Sequence, residues 1–394
     1  MATKKPESTP QLASSHSTGR YAHPFFTTTP LAQRKPVNGN TRMTDWSKKQ
    51  IGPVPKVLRG GQMDLAEVIG TEGVAEIEGI GEIRIHALGD SGVGMAAEAE
   101  EVSGEMATDY KAGAGGLNPA FLLHLGDVIY GPDKEAHYGD RFYRPYRHYP
   151  GKIIAIPGNH DGEVRAAADK PSLSAFQANF CAATAAVPTA ASGIGIYRET
   201  MTQPGVYWLL DAPYVRIIGL YSNLLENPGF LEGAGGDTSQ LDWLSKTLTA
   251  IAGMSHKALV IATHHPPYSQ SGHTGSTDMN KSITDACTAA GVMPDAVLSA
   301  HAHNYQRYTR RIAGRQVPYV VVGTGGMPPQ PVEPASGQPA DATNEVTYDA
   351  AMKSLGYLFV TASASQLKTE FWPLGQQTIP FDPVTVDLAT HTVR

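Results

Sequence analysis

The chain has 394 residues, of which 41% are hydrophobic and 17% are charged, so it can bury a large core as an ordinary globular protein. No stretch approaches the roughly 18 consecutive apolar residues that predict a transmembrane helix. Residues 1–60 hold ten Lys and Arg against Glu7 and Asp45, a net of +8, which leaves −14 for the remaining residues. That acidic remainder argues against a protein that binds polyanions, nucleic acids included, over its whole surface.

Residues 1–60 are rich in Ser, Thr, Pro and Lys and show little periodicity, so we expect a mobile tail or a wrapping arm. An alternative reading is a basic arm that tethers the protein to an anionic surface. The first twenty residues lack the apolar h-region of a secretory signal, which favours the cytoplasm and leaves a periplasmic or secreted location open. Cys181 and Cys287 are too few for a disulfide framework.

Short runs of apolar, β-branched residues recur after the tail and predict strands that are covered on both faces. The predicted strands are Ile83–Leu88, Phe121–Leu125, Lys152–Ile156, Tyr214–Leu220, Ala258–Ala262, Ala296–Ser299, Val317–Val322, Leu358–Ala362 and Leu367–Trp372. The last two are close enough in sequence to form a closing hairpin.

Helices are expected between the strands. The predicted helices are Met95–Ala112, Lys134–His148, Leu173–Ala185 and Asp237–Ala252. In the last of these, Asp237 and Gln240 fit an N-cap and its N3 partner, and apolar residues recur on one helical face. The segment Gly325–Asn344 is too rich in Pro and Gly for a helix or a strand, so we expect a long loop near the rim of a site.

Five short polar motifs end or directly follow predicted strands. They are Gly89-Asp90-Ser91-Gly92, Gly126-Asp127-Val128-Ile129-Tyr130, Gly158-Asn159-His160-Asp161, Thr263-His264-His265 and Ala300-His301-Ala302-His303. Oxygen and imidazole ligands that gather at strand ends can hold two metal ions about 3.5–4 Å apart, an arrangement that suits cleavage of phosphate esters. Because the motifs are spread from Asp90 to His303, we expect one catalytic domain over residues 61–394.

The carboxylates and the tyrosine of these motifs differ in what they offer a metal ion. A lone Gly-Asp pair such as that of Asp90 is weak evidence, since Asp commonly caps turns after strands. Asp127 repeats the pattern, and its two oxygens could bridge two ions. Tyr130 could present a phenolate, although an aromatic residue packed over the end of the sheet is the simpler reading of that residue alone.

The histidines are informative through their spacing. Adjacent residues on an extended chain point in opposite directions, so we expect only one of His264 and His265 to be a ligand. His301 and His303 are two residues apart, so on an extended segment both imidazoles face the same side. A single histidine is more often a core residue than a ligand, but this pair is the fifth such motif in the series. Asn159 adds a neutral carbonyl oxygen.

Together these motifs resemble those of the calcineurin-like metallophosphoesterases and, within that superfamily, of the purple acid phosphatases. The resemblance covers about Ile83 to Trp372 and is to the small, animal-type enzymes, which lack the N-terminal β-domain of the large plant forms. Its diagnostic points are Gly-Asp-x-Gly in place of Asp-x-His in the first motif, and Tyr130 in the second. Ala300 and Gln306 depart from the family, which usually has Gly and Glu at these positions.

The resemblance implies an α/β (α+β) fold, a four-layer αββα sandwich of two mixed sheets flanked by helices. It also implies a ferric ion held by Asp90, Asp127, Tyr130 and His303. The second ion, Fe(II), Zn(II) or Mn(II), would be held by the shared Asp127 with Asn159, His264 and His301. Two carboxylates and a phenolate suit a trivalent cation, whereas an amide and neutral imidazoles suit a divalent one.

The expected activity is hydrolysis of small phosphate monoesters by attack of a metal-bound hydroxide. His160 and His273 are the candidates for orienting the phosphate and protonating the leaving alkoxide, although His273 could instead be a solvated loop residue. One alternative is a phosphodiesterase or nucleotidase that uses two divalent ions. Another is an inactive relative that binds phosphate or a partner in the same cavity.

Overall fold

The computed structural model describes residues 48–92, 97–340, 343, 345–376 and 378–394. The strands are β1 (Gln62–Asp64), β2 (Glu82–Leu88), β3 (Phe121–His124), β4 (Lys152–Ala155), β5 (Trp208–Asp211), β6 (Val215–Gly219), β7 (Ala258–Ala262), β8 (Ala296–Ser299), β9 (Tyr305–Ile312), β10 (Arg315–Val322), β11 (Val346–Met352), β12 (Gly356–Ser363), β13 (Gln366–Pro373), β14 (Phe381–Asp387) and β15 (Thr392–Val393). They form an eight-stranded sheet in the order β1-β5-β6-β7-β8-β10-β9-β11 and a seven-stranded sheet in the order β15-β14-β13-β12-β2-β3-β4.

The α-helices within the described residues are α1 (Leu65–Ile80), α2 (Ala97–Thr108), α3 (Lys134–Tyr138), α4 (Asn159–Gly162), α5 (Ser174–Phe180), α6 (Thr189–Ser192), α7 (Ser239–Ala252) and α8 (Thr277–Ala290). None of these helices is both long enough and apolar enough to span a bilayer.

Side-chain alternation along the strands produces the layers. In the parallel strands β6 and β7, Ile217 and Val260 point into a core shared by both sheets. Their neighbours Ile218 and Ile261 point the other way and pack beneath α7 and α8. Because successive side chains of a strand alternate between its faces, each sheet is covered on both sides.

The seven-stranded sheet is covered in the same manner on its far side. Leu122 and Ile153 of that sheet pack with Val102 and Met106 of α2 and with Phe142. The structure is therefore the predicted four-layer αββα sandwich, and both of its sheets are mixed. Strands β2, β3 and β4 are mutually parallel, as are β6, β7 and β8, and their carboxyl ends carry the polar motifs.

Every predicted strand is present, with ends that differ by at most two residues. The prediction missed six further strands, of which β9 shows the reason. Its sequence reads as polar because it holds three arginines, yet it lies inside the sheet between β10 and β11. Tyr305 and Tyr308 are buried in hydrophobic clusters on opposite faces of the sheet, while Arg307 bonds to Asp349 of the neighbouring β11 and to Asp382 of β14 in the other sheet. Charge pairing within and between the sheets therefore replaces apolar alternation here.

The predicted helices are all present but shorter, and the long helices α1 and α8 and the one-turn helices α4 and α6 were missed. The segment predicted as Lys134–His148 is divided into α3, a π-helix at Gly139–Tyr143 and turns. The capping prediction is wrong, because Thr238 and not Asp237 occupies the N-cap position of α7. Asp237 Oδ1 does accept from the backbone N–H of Ser239 at 3.0 Å, but the Gln240 side chain pairs with both backbone groups of Tyr221.

Residues 48–60 lie along the domain; residues 1–47, which make up most of the predicted tail, are outside the described part of the chain. Gln50 makes two side-chain hydrogen bonds to the backbone of Val164. Further along, the backbone N–H of Val54 donates to Asp237 Oδ2 at 2.9 Å, and that of Leu58 to the carbonyl of Pro204 at 2.7 Å.

The core under α7 should respond strongly to truncation. Leu248 is fully buried there, so Leu248→Ala is expected to lower the free energy of unfolding by about 2–5 kcal/mol. Lys246→Ala, at an exposed position of the same helix, should change it by less than about 0.5 kcal/mol. Urea denaturation followed by circular dichroism measures both, and equal midpoints for the two variants would contradict this packing.

Candidate metal centre

All seven predicted ligands lie together at the carboxyl ends of the parallel strands, and each is at most 1% exposed. They are Asp90, Asp127, Tyr130 and Asn159, which follow β2, β3 and β4, and His264, His301 and His303, which follow β7 and β8. The two sheets contribute to one cavity because both present the carboxyl ends of their parallel strands at the same edge of the sandwich.

Asp90 is the centre of the first group of these residues. The Tyr130 hydroxyl donates to Asp90 Oδ1 at 2.8 Å, and His303 Nε2 lies 3.5 Å from the same oxygen. The other carboxylate oxygen accepts from the backbone N–H of His301 at 2.7 Å. Asp90 therefore connects Tyr130, which follows β3 of the same sheet, to His301 in the loop that follows β8 of the other sheet.

His264 is the centre of the second group. Its Nε2 lies 3.4 Å from Asp127 Oδ2, 3.1 Å from Asn159 Oδ1 and 3.2 Å from His301 Nδ1. Asp127, His264 and His301 each have one donor atom that lies within 4.8 Å of the donor atoms of the other two. A carboxylate and two imidazoles at this spacing fit a metal site.

The outer hydrogen bonds of the two imidazoles fix which nitrogen faces the cavity. His264 Nδ1 donates to the carbonyl of Leu125 at 2.9 Å, and His301 Nε2 donates to the carbonyl of Glu226 at 2.7 Å. This leaves His264 Nε2 and His301 Nδ1 turned toward each other. A histidine that ligates a metal typically anchors its second nitrogen on a backbone carbonyl in this way.

A cation would stabilise the buried carboxylate charges of the cavity. Asp127 Oδ2 is buried and has no hydrogen-bond partner of good geometry among the described residues. Burial together with the charges of Asp127 and Asp90 raises the pKa of Tyr130 well above its usual value, so without an added cation the phenol stays protonated. Burial lowers the pKa of His264 and Asp127 raises it, to about 9 on balance. A proton thus compensates Asp127 in the metal-free protein.

Three of these residues have an uncommon backbone conformation. Asp90, Asp127 and His301 have φ angles of 63°, 54° and 65°, in the left-handed region. Such conformations cost about 1–3 kcal/mol each and persist where the surroundings enforce them. The prediction that His301 and His303 lie on an extended segment is therefore wrong, although both side chains do reach the cavity.

Close backbone packing enforces these conformations. A Cβ atom at Gly158 would lie 2.1 Å from Asp127 Oδ1, and one at Gly89 would lie 2.4 Å from the Cβ atom of Ala300. Ala300, one of the two departures from the family pattern, therefore sits directly against Gly89 of the opposite sheet. The other departure, Gln306, is buried and accepts from the backbone of Gln270 at 2.7 Å.

His160 lies beside this cavity and is firmly oriented. Its backbone N–H donates to Asp127 Oδ1 at 2.9 Å, and its ring stacks on Tyr130 with centroids 4.7 Å apart. Its Nδ1 pairs with Glu163 Oε2 at 2.8 Å. Burial opposes ionisation of Glu163, but His160 and Arg165 lower its pKa to about 2, so the carboxylate is charged.

His273 is also brought to the cavity. It is 3% exposed, and its ring centroid lies 4.2 Å from that of His301, so the reading as a solvated loop residue is wrong. Its Nε2 lies 3.2 Å from Gln330 Nε2. Gln330 belongs to the predicted rim loop, and its backbone N–H donates to the carbonyl of His303 at 2.7 Å.

His265 packs against His301 with ring centroids 4.4 Å apart, but both of its ring nitrogens bond to the loop that follows β6. Its Nδ1 pairs with Ser222 Oγ at 2.8 Å, and its Nε2 donates to the carbonyl of Leu225 at 2.7 Å. Burial and the neighbouring His264 lower the pKa of His265 to about 3, so the ring is neutral. Its role here is to hold the loop that follows β6.

That loop carries Glu226, a residue that the sequence analysis did not identify. Glu226 Oε2 lies 3.9 Å from His160 Nε2, and Oε1 lies 3.7 Å from His273 Nδ1. Burial and the charges of Glu163 and Asp127 raise the pKa of Glu226 well above its usual value, an effect that a cation in the cavity would oppose. Its one sequence signal is its place six residues beyond the predicted strand Tyr214–Leu220.

The chain resembles a known protein family in sequence and solved structures in fold. A family model described as calcineurin-like phosphoesterase matches residues 83–305. The fold resembles that of purple acid phosphatase PPD1 from yellow lupin (Lupinus luteus) seeds, with a TM-score of 0.54 and 16% identity over 78% of this chain and 54% of that one. This chain thus spans about half the length of the lupin protein.

A second solved structure is similar over most of its own length. It is GAP50, described as the anchor in the inner membrane complex of Plasmodium, with a TM-score of 0.53 and 12% identity over 78% of this chain and 88% of that one. At such identities the likeness to either protein shows the fold. No curated protein sequence matches this chain.

The support of Asp127 by Gly158 can be tested without removing a ligand. Gly158→Ala forces Asp127 to shift, and we expect the affinity for a divalent ion to fall roughly 10–100-fold. Calorimetric titration of Zn²⁺ into metal-free protein measures this. Gly104→Ala is the matched control, because its added Cβ meets no atom within 4 Å. Unchanged affinity in Gly158→Ala would show that the contact does not position Asp127.

Proposed function

Because this chain belongs to the calcineurin-like phosphoesterase family, we propose that it hydrolyses phosphate monoesters at a dinuclear metal centre, in the manner of a purple acid phosphatase. Membership of the family implies a hydrolase that acts on phosphoesters; the monoester preference and the acid-phosphatase type are the proposal. The observation that carries it is the position of the Tyr130 hydroxyl, 2.8 Å from Asp90 and in the same buried cavity as the histidines.

The donor atoms favour two unlike ions. Asp90, Tyr130 and His303 form a group whose oxygen donors are anionic when ionised, which suits Fe(III). Asn159, His264 and His301 offer neutral donors, which suit Fe(II), Zn(II) or Mn(II). Asp127 is proposed to bridge the two ions, and its unpaired Oδ2 is available for this. A net positive cavity would then draw in a phosphate group.

Bound ions would supply an activated water and neutralise charge on the phosphate. The protein contributes the position of the groups around them. His160 is fixed on one side by Glu163 and beneath by Tyr130, and its Nε2 accepts from Asn159 Nδ2 at 3.1 Å. A bound phosphate is proposed to replace this amide contact and to accept a hydrogen bond from Nε2 of the protonated ring. The rigid placement of His160 lowers the entropy that must be lost on reaching the transition state.

His273 is proposed to protonate the leaving oxygen. Burial and the nearby His303 lower the pKa of His273 well below its usual value in the metal-free protein. A phosphate dianion bound beside the ring would favour the protonated form, because opposite charges stabilise each other. His273 lies against His301 and is therefore on the side of the proposed divalent ion.

A second candidate is a phosphodiesterase or nucleotidase with two divalent ions. The hydrogen bond from Tyr130 to Asp90 is compatible with it, because this bond can position the carboxylate of Asp90 while the tyrosine binds no ion. Tyr130 would then support Asp90 and would not bind an ion. Assays of metal-loaded protein with p-nitrophenyl phosphate and bis-p-nitrophenyl phosphate compare the two activities directly.

The bridging role of Asp127 makes a sharp prediction. Asp127→Ala should lose both ions and reduce turnover by roughly 1000-fold, since metal ions contribute several kcal/mol of transition-state stabilisation. Elemental analysis of the purified protein and a p-nitrophenyl phosphate assay measure these effects. Asp140→Ala, which removes an exposed carboxylate, is the control. Two ions per chain and full turnover in Asp127→Ala would refute the bridge.

Tyr130 separates the two candidate functions. If it binds iron as a phenolate, protein purified without added metal should have a visible charge-transfer band, and Tyr130→Phe should abolish it. Tyr197→Phe, at a residue 79% exposed, should keep the band. A band that survives in Tyr130→Phe would rule out this residue as the chromophore. A colourless wild-type protein with two divalent ions would favour the phosphodiesterase or nucleotidase.

A further inference from the structure

Glu226 lies between the two histidines that are proposed to contact the phosphate. Its carboxylate oxygens are 3.9 Å from His160 Nε2 and 3.7 Å from His273 Nδ1. Its backbone carbonyl accepts from His301 Nε2 at 2.7 Å. One residue therefore lies beside both imidazoles that are proposed to contact the phosphate, and it supports a proposed metal ligand through its backbone.

The exposure of this side chain shows where the cavity opens. The side chain of Glu226 is 23% exposed, against 1% for His160 and 4% for His273. Oε2 of the carboxylate is itself buried, so the exposed part lies elsewhere on the side chain. The alcohol portion of a bound ester must extend away from the buried ions, and its path toward the solvent would follow this side chain.

The loop that carries Glu226 is held in place from behind. His265 fixes it through Ser222 Oγ and the carbonyl of Leu225. Asn223 Oδ1 also accepts from the backbone N–H of Leu225 at 2.5 Å. A Cβ atom at Gly229 would come within 2.5 Å of His265, so the loop is closely packed against that ring. A rigid loop gives the carboxylate a defined position, which selectivity requires.

We propose that Glu226 determines leaving-group selectivity, and that the enzyme favours phosphate monoesters whose alcohol carries an ammonium group within reach of this carboxylate, as an aminoalkyl phosphate does. This inference rests on the proposed function. A carboxylate accepts hydrogen bonds but cannot donate them, so it binds an ammonium group and repels a second anionic group on the substrate. The metal ions would attract the phosphate of every ester, whereas Glu226 would distinguish esters by the charge of the alcohol that is attached to the phosphate.

Three substrates of similar size separate charge from shape. They are 2-aminoethyl phosphate, propyl phosphate and phosphoglycolate, whose leaving groups are cationic, neutral and anionic. Glu226→Gln keeps the shape of the side chain and removes its charge. We expect the preference of kcat/KM for the aminoethyl over the propyl ester to fall about 10-fold, the scale of a lost hydrogen bond to a charged group. The discrimination against phosphoglycolate should shrink as well.

A matched variant in the same loop controls for a structural effect. Glu232→Gln makes the same chemical change at a carboxylate that faces a different part of the surface, beside Pro53 and Gly233. It should leave the ratios between the three substrates as they are in the wild type. If Glu226→Gln lowers kcat/KM for all three esters by one common factor, Glu226 only supports the loop and the proposal is wrong.

A binding measurement keeps the inference independent of turnover. Calorimetry with metal-loaded protein compares 2-aminoethylphosphonate with propylphosphonate, neither of which can be hydrolysed at its P–C bond by this chemistry. We expect tighter binding of the amino compound to wild type and equal binding of both to Glu226→Gln. If this binding result is obtained but no ester is hydrolysed, the proposed phosphatase function is wrong, whereas the selectivity of Glu226 is still supported. Equal binding of both compounds to the wild type would overturn the inference.

Discussion

The site depends on two buried carboxylates that cannot both be stable there without positive charge. Asp90 and Asp127 are fully buried at adjacent strand ends, next to a tyrosine that their charges keep protonated. One oxygen of Asp127 is held by the backbone of His160, and the other is directed at His264. An unpaired buried charge is costly, so this arrangement is sensible only for a protein that brings cations to it.

Much of this site was accessible from the sequence because its residues follow parallel strands. A run such as Phe121–Leu125 predicts a strand that is covered on both faces, and Gly-Asp directly after it predicts a polar group at the carboxyl end. The position of Asp127 therefore depends on two local patterns. Glu226 was not identified because it is separated from its strand by a loop whose course is set by contacts with His265, which no local pattern encodes.

Much of the fold could also be predicted from the sequence, because most of its strands have a recognisable apolar run. Strands with apolar runs were identified, whereas β9 was missed because it is rich in arginine, and the acidic partners of Arg307, Asp349 and Asp382, are distant in sequence. The left-handed backbone at His301 was also missed, because a conformation of that kind is enforced by tertiary packing. Ala300 lies against Gly89 of the other sheet, so the two loops can only be placed together.

The division of the donor groups between the two sheets has a consequence for biosynthesis. Asp90, Asp127, Tyr130 and Asn159 emerge from the ribosome long before His264, and the last donor, His303, lies beyond three quarters of the chain. A nascent chain that ends before His264 contains the four oxygen donors of the first sheet but none of the histidine donors of the second. On the proposed assignment, both sites are complete only after the sheets have docked, and ions bound between them would tie the first-made half of the domain to the last.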